Sequence, residues 1–245
     1  MLQEQVEERE DMNVGMVKLK IDGMEVTGLE GETILEVAVR NGVHIPTLCH
    51  LEGLSNSGGC RLCIVEVKGS SKLFPACTTP IYNGMEIVTD SDKLKKYRKM
   101  LIELFLSERT HICAVCIANG NCELQDLAMK LGVDHVRFRR EWTRHKIDSS
   151  HDRLVLDPNR CILCTRCIRV CDEIEGVHTL DLKMRGKDSQ VIVDLDEPWG
   201  SSSSCTSCTK CAAVCPVGAI YIKGEPISET RAKDLPKFVL RRRQK

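Results

Sequence analysis

The sequence is short of aromatic residues. Four Phe, three Tyr and two Trp among 245 residues exclude a single large aromatic core, although the length allows one large domain or two to three small ones. It lacks long hydrophobic runs: nothing approaches the roughly 20 consecutive apolar residues of a membrane span. An integral membrane segment is therefore not expected. It lacks a G-x-G-x-x-G turn after a strand, so dinucleotide binding is not encoded here. It also lacks the basic start and apolar run of a signal peptide, because MLQEQVEEREDMN opens on acids, and a cytoplasmic location is expected. Net charge is zero, from 35 basic and 35 acidic residues. What is present in excess is cysteine. There are fifteen, an odd number that a disulfide framework would not favour. The class left standing is a reduced, metal-binding chain.

The charge balance hides a polarity. Residues 1–13 carry five acids (Glu4, Glu7, Glu8, Glu10, Asp11) against Arg9, and residues 231–245 carry seven bases (Arg231, Lys233, Lys237, Arg241, Arg242, Arg243, Lys245) against Asp234. The ordinary reading of both is a solvated tail, and the sharper one is a segment that docks onto a partner subunit. Phe238 is the single aromatic residue in the basic tail, too little interleaving to make nucleic acid an expected partner.

Local patterns outline the elements. Residues 16–27 alternate around Asp22-Gly23, which predicts a hairpin with a type I′ turn. Thr33 and Glu36 make a capping box ahead of a stripe of Ile34, Val37 and Ala38, and Asn41-Gly42 stops that helix. Short apolar runs follow at Cys63–Val67, Leu73–Ala76 and Glu86–Val88, and together these elements predict a small α+β domain of the β-grasp kind. A helix over 91–108 is predicted to bury Leu94, Tyr97, Leu101, Leu104 and Phe105, and another follows Cys122 with Leu124, Leu127, Ala128 and Leu131 inward. Residues 133–152 read as a loop or linker. Two cysteine runs then recur about 44 residues apart, an internal repeat. Between them lie a strand-like Val191–Val193 and the turn-rich EPWGSSSS.

The cysteines sort into four sets. Cys49, Cys60, Cys63 and Cys77 keep the order of isolated cysteine, close pair and distant cysteine that plant-type [2Fe–2S] ferredoxins use. Gly58-Gly59 just before the pair lets backbone N–H groups approach an inorganic sulfide. A four-cysteine zinc site would more often show two close-paired knuckles, and here there is one. Cys161, Cys164, Cys167 and Cys171, then Cys205, Cys208, Cys211 and Cys215 before Pro216, repeat the bacterial two-[4Fe–4S] pattern, in which the fourth cysteine of each run serves the other cluster. Cys161, Cys164, Cys167 and Cys215 are therefore assigned to one cubane, and Cys171, Cys205, Cys208 and Cys211 to the other. Asp172 stands where the pattern has proline, a departure in the exit turn and not in a ligand. The remaining set, Cys113, Cys116 and Cys122, offers three thiolates. His111 is a candidate fourth ligand, with a zinc site of three cysteines and one histidine, or an iron left open to water, as rivals. His44, His50, His135, His145, His151 and His178 read as surface or satisfied core histidines. Arg160, Arg166 and Arg169 flank the cubane cysteines; the ordinary reading is a solvated face, and the alternative is a role in raising a potential or docking a partner.

CHLEGLSNSGGCRLC, ERTHICAVCIANGNCELQD, NRCILCTRCIRVCDEIEG and DEPWGSSSSCTSCTKCAAVCPVGAI resemble the N-terminal iron–sulfur module of the large electron-input subunit of respiratory complex I. They resemble still more the diaphorase small subunit of NAD(P)-linked multisubunit NiFe hydrogenases, over roughly residues 15–235. The complex I motif usually has three residues between the histidine and the first cysteine; here only Ile112 intervenes, as in the hydrogenase type. The resemblance implies that His111 is a cluster ligand, and that the chain carries one [2Fe–2S] and three [4Fe–4S] clusters. The fold it implies is α+β in three parts. These are a β-grasp [2Fe–2S] domain over 14–92, a helical [4Fe–4S] domain with one histidine and three cysteine ligands over 93–150, and a two-[4Fe–4S] bacterial-ferredoxin-like domain over 151–226. A basic tail at 227–245 follows.

The resemblance implies an oxidoreductase subunit that relays electrons between a flavin/NAD(P)-binding diaphorase subunit and the small and large subunits of a NiFe hydrogenase. No catalytic residue is expected on this chain: it ends thirty residues after Cys215, which leaves no room for a molybdopterin or iron-only hydrogenase domain. Alternative settings are an electron-bifurcating hydrogenase with ferredoxin as a further partner, and a complex I-like or formate dehydrogenase complex. A zinc-organised interaction module is the reading from outside the redox class.

Overall fold

Asp22 and Gly23 take positive φ (50° and 83°), a pair of angles that a tight hairpin turn requires and that glycine adopts without strain. In the computed structural model, which describes residues 15–141 and 144–231, that turn joins β1 (Met16–Ile21) to β2 (Met24–Leu29). The acidic N-terminal stretch and all of the basic tail except Arg231 lie outside the described residues. Thr33 and Glu36 form both halves of the capping box at the start of α1 (Ile34–Arg40). With β3 (Ile64–Val67), β4 (Leu73–Pro75) and β5 (Glu86–Val88) the strands make one mixed sheet in the order β2-β1-β5-β3-β4, in which β1 and β5 run parallel. Val17, Leu19, Ile21 and Val26 face Ile34, Leu35, Val37 and Ala38 across this sheet and helix, in a core of their own.

α2 (Asp92–Glu108) starts at Ser91, whose hydroxyl accepts from Leu94 N. Its buried face differs from the expected one. Tyr97 and Leu104 are exposed, whereas Arg98, Ile102, Glu103 and Ser107 are buried with Leu94. The reason is that the polar side chains find partners inside. Arg98 donates to the carbonyls of Leu62 (3.1 Å) and Ile64 (2.8 Å), and Glu103 accepts from Arg137 Nε at 2.8 Å. Leu101 and Phe105 are half-buried, against a second core. α3 (Glu123–Lys130) buries Leu124 and Leu127 in the same core.

That second core runs from Leu48, Cys49, Leu54, Cys60 and Leu62 through Ile102 and Leu124 to Trp199 and Ile227. It is framed by two small antiparallel ladders, β6 (Leu154–Leu156) with β9 (Ile220–Ile222) and β7 (Leu180–Lys183) with β8 (Gln190–Val193). The repeat is visible in the backbone. Leu163 and Thr165 take positive φ before α4 (Arg166–Arg169), and Ser207 and Thr209, at the matching steps, do so before α5 (Lys210–Val214). The runs diverge at their ends. Pro216 follows Cys215 and stops the second helix, whereas Asp172 lets the first continue as a π-helical turn over Val170–Ile174. No helix among the described residues is long and apolar enough to cross a membrane.

Candidate metal centres

All fifteen cysteines are free thiols. The first set straddles the two cores: Cys63 and Cys77 lie in the sheet's own core, Cys49 and Cys60 in the other. The four are packed on one another, with Cys63 and Cys77 Sγ 3.4 Å apart. Backbone amides serve the sulfurs, Leu48 N to Cys60 Sγ at 3.4 Å and Cys60 N to Cys49 Sγ at 3.5 Å. The thiols set one another's acidity. Cys60 and then Cys77 donate to Cys49 and hold its thiol low; Cys77 likewise lowers Cys63 to about 7, and Cys60 and Cys77, as donors, are pushed up. Arg61, with φ at 58°, makes the turn between the two members of the close pair.

The other sets surround cavities. Cys161, Cys164, Cys167 and Cys215 line one of them. Cys171, Cys205, Cys208 and Cys211 line another, shared with Trp199. The cross-over between the runs, with each fourth cysteine in the other run's cavity, follows from the two helices α4 and α5 packing on each other. Desolvation pushes Cys161 up to about 11 and Cys164 to about 12, and raises Cys167 and Cys211 well above the usual thiol range. Among the N–H groups that point at these sulfurs are Leu163 N at Cys161 Sγ and the Trp199 indole at Cys205 Sγ, both 3.3 Å.

His111, Cys113, Cys116 and Cys122 line a third cavity. The His111 Nε2 atom is buried with no hydrogen-bond partner, while the ring also hydrogen-bonds the backbone of Phe105. The bond to Phe105 thus falls to Nδ1, whose N–H donates to the carbonyl and leaves the Nε2 lone pair facing the cavity. Burial, then Arg160 and Arg109, hold this imidazole down at about 4, so it is neutral near pH 7. Burial also lifts Cys122 to about 11. Gly218 closes the cavity's edge, where a Cβ would stand 2.9 Å from Cys116 Sγ. A neutral nitrogen donor, three sulfurs and a space cleared by a glycine fit a bound inorganic group. Among the described residues no three His, Cys, Asp or Glu side chains converge on a single ion-sized point; four sulfurs on one zinc would lie about 3.8 Å apart.

Charged side chains stitch the centres together. Arg166 and Arg169, read from sequence as a solvated face, are 3% and 9% exposed. Arg166 grips both carboxylate oxygens of Glu123 (2.8 and 2.9 Å) and donates to His50 O at 2.8 Å, joining all three segments. Arg160 is partly buried and donates to Ile112 O at 3.1 Å. Arg231, the first base of the tail, is no solvated end: it donates to Cys215 O at 3.1 Å and to Asn121 O. His151 is a satisfied core histidine, accepting from Arg153 N and Leu154 N at Nδ1 and reaching Ser207 Oγ at 3.0 Å with Nε2. Sequence reasoning missed Trp199, Gly218 and Arg98 as neighbours of the centres. Trp199 and Gly218 stand inside cysteine-rich motifs, a proximity that pointed to them; Arg98 carries no such signal.

Three family descriptions match in succession. They are a 2Fe-2S iron-sulfur cluster binding domain over residues 15–92, the NADH-ubiquinone oxidoreductase-G iron-sulfur binding region over 98–137, and the ferredoxin-like domain of NADH-quinone oxidoreductase subunit 3 over 152–221. Among curated relatives, the NADPH-Fe(3+) oxidoreductase subunit alpha of Geobacter sulfurreducens is 38% identical over 208 residues, which are 85% of this chain and 24% of the relative. A G-type subunit of the NADH-quinone oxidoreductase of Rhizobium meliloti is 35% identical over 209 residues, 84% of this chain and 24% of the relative. The chain thus spans about a quarter of the length of these relatives. A chain in the crystal structure of an NAD+-reducing [NiFe]-hydrogenase in the H2-reduced state superposes with a TM-score of 0.80 at 34% identity, covering 86% of this chain and 88% of that one.

Proposed function

From its membership of the iron–sulfur subunit family that includes this chain of the NAD+-reducing [NiFe]-hydrogenase and the G-type subunits of NADH-quinone oxidoreductase, we propose that the chain is an electron relay without a substrate site of its own. In this reading Cys49, Cys60, Cys63 and Cys77, on a β-grasp scaffold, hold one [2Fe–2S] cluster. Three [4Fe–4S] clusters are held by His111 with Cys113, Cys116 and Cys122, by Cys161, Cys164, Cys167 and Cys215, and by Cys171, Cys205, Cys208 and Cys211. Such groups supply one-electron transfer at potentials set by cluster charge, N–H···S bonds and burial.

The observation that carries the reading is the His111 cavity. A buried Nε2 atom without a partner is unfavourable unless something occupies the space it faces. The protein's own part is to desolvate the thiols, to aim amide and indole N–H groups at sulfurs, and to keep His111 neutral so that it binds through a lone pair. The partners in this reading are a flavin/NAD(P)-binding diaphorase subunit on one side and a NiFe hydrogenase module on the other, a setting that the likeness to the NAD+-reducing [NiFe]-hydrogenase supports. NADH-quinone oxidoreductase relatives keep a complex I-like setting as the second reading.

Anaerobic purification of the full chain, followed by iron and zinc analysis, tests the cofactor set. About 14 iron atoms per chain are expected from one [2Fe–2S] and three [4Fe–4S] groups. Stoichiometric zinc, or fewer than about eight irons in a fully assembled sample, would overturn the relay. Chains that co-purify from the native cell decide between the hydrogenase and complex I-like settings.

A further inference from the structure

Arg169 leaves the last turn of α4 and runs into the contact between two of the proposed centres. Its Nη2 donates to the carbonyl of Cys49 at 2.6 Å and to that of Cys164 at 3.1 Å. Its Nη1 donates to Ser55 O and its Nε to Thr165 Oγ1 at 3.3 Å. One guanidinium therefore ties the loop of the first cysteine set to the loop of a cubane set, across 120 positions of sequence. The adjacent Arg166 is neutralised by Glu123. Among the described residues Arg169 has no carboxylate partner; the nearby Glu173 engages Ser55 instead, accepting from its N at 2.8 Å and from its hydroxyl. A buried cation without a counter-charge is unfavourable. The negative charge that would answer it belongs to the two thiolate sets on either side.

We infer that Arg169 is a positioning residue shared by two centres: it holds the Cys49 and Cys161 sets in register and, as a fixed positive charge between them, raises the potential of both. The inference rests on the cluster reading above. Adding one electron to either centre adds one negative charge without a proton, and a cation held nearby in a low-dielectric site favours that step.

The test is an EPR-monitored redox titration of the full, cluster-bearing chain. Arg169→Gln should lower two midpoints together and leave the other two in place. A tenfold fall in the reduced-to-oxidised ratio at fixed potential corresponds to about 59 mV for one electron. Arg169→Lys, which keeps the charge, should bring both back toward wild type. Thr165→Asp, at a positive-φ position that aspartate tolerates, sets a carboxylate against the guanidinium and should also lower both midpoints. That variant decides the matter if Arg169→Gln fails to assemble. Wild-type midpoints in the assembled variants, or an equal shift in all four centres, would overturn the role of Arg169 alone. A wild-type chain without iron–sulfur signals would instead overturn the cluster reading beneath it.

Discussion

The sheet half and the cysteine-run half of this protein are held together differently. Residues 15–90 have an aliphatic core of their own, in which strands and α1 bury Val, Leu and Ile side chains against one another. Beyond α2 the described strands pair only in two-stranded ladders instead of a five-stranded sheet, the only fully buried aromatic among the described residues is Trp199, and thiol-lined cavities interrupt the apolar interior. The first half has enough apolar contact to fold around its cysteines. The second shares its interior between apolar side chains and cysteines, and in the reading proposed above the groups that those cysteines hold add to its stability.

Removing the metal is the most severe way to break that contrast. Treating the anaerobic protein with a strong iron chelator should unfold residues 152–222 and the His111 loop while leaving β1, β2 and α1 protected. Hydrogen exchange read by mass spectrometry checks this, because the global and local opening free energies separate by segment. Equal loss of protection in both halves would erase the distinction. His111→Ala is a smaller blow of the same kind. Three thiolates are left for a four-ligand group, so about 4 of about 14 irons should be lost. His111→Cys should keep the iron, yet lower the potential of that centre, because a thiolate replaces a neutral donor.

pH separates Cys63 by sign from the buried thiols of the other half, while Cys77 beside it is raised as they are. In the metal-free protein the Cys63 thiol sits at about 7, held down by Cys77 and below the ordinary thiol value of 9.0. Its contribution to stability is present above pH 9 and fades as pH falls through 7. Cys122, Cys161 and Cys164 are raised by burial to about 11, 11 and 12 from the same reference. Their contribution is complete below pH 9 and disappears as pH rises through 11 to 12. Segment-resolved exchange of the metal-free chain should therefore show the sheet half gaining protection as pH rises from 7 to 9.

The elements that depend on local chemistry were legible in the sequence. The Asp22-Gly23 turn, the Thr33/Glu36 box, the Ser91 start of α2 and the 44-residue repeat each arise from neighbours a few residues apart, and the structure shows each of them. The steps within each cysteine run were legible because they are short, whereas the passage of Cys171 and Cys215 into the other run's cavity depends on α4 packing against α5. The face of α2 was not, since hydrophobic periodicity carries no information about which polar side chains will find a buried carbonyl or carboxylate. Arg98 finds two carbonyls from the sheet and Glu103 finds Arg137, so both turn inward while Tyr97 and Leu104 turn out. Arg166 and Arg169 were misread for the same reason. Their partners lie 43 to 120 positions away, at a range where only the assembled fold decides whether a charge is solvated.

The smallest expected effect sharpens the contrast within the repeat itself. Two sulfurs in matching positions, Cys161 and Cys205, each receive an N–H at 3.3 Å, but from different sources. Cys161 is served by the backbone of Leu163, which no side-chain change removes. Cys205 is served by the indole of Trp199, which packs against the His151 ring at 5.5 Å between centroids. Trp199→Phe keeps an aromatic ring in the core but deletes the N–H donor along with part of the indole's bulk, so the Cys205 centre should become harder to reduce. A roughly threefold fall in its reduced-to-oxidised ratio is expected, under half of the 59 mV or so that a tenfold change requires. The Cys161 centre serves as the internal reference in the same redox titration. If its midpoint moves as far as that of the Cys205 centre, the substitution acts through packing, and the indole N–H has no particular hold on that sulfur.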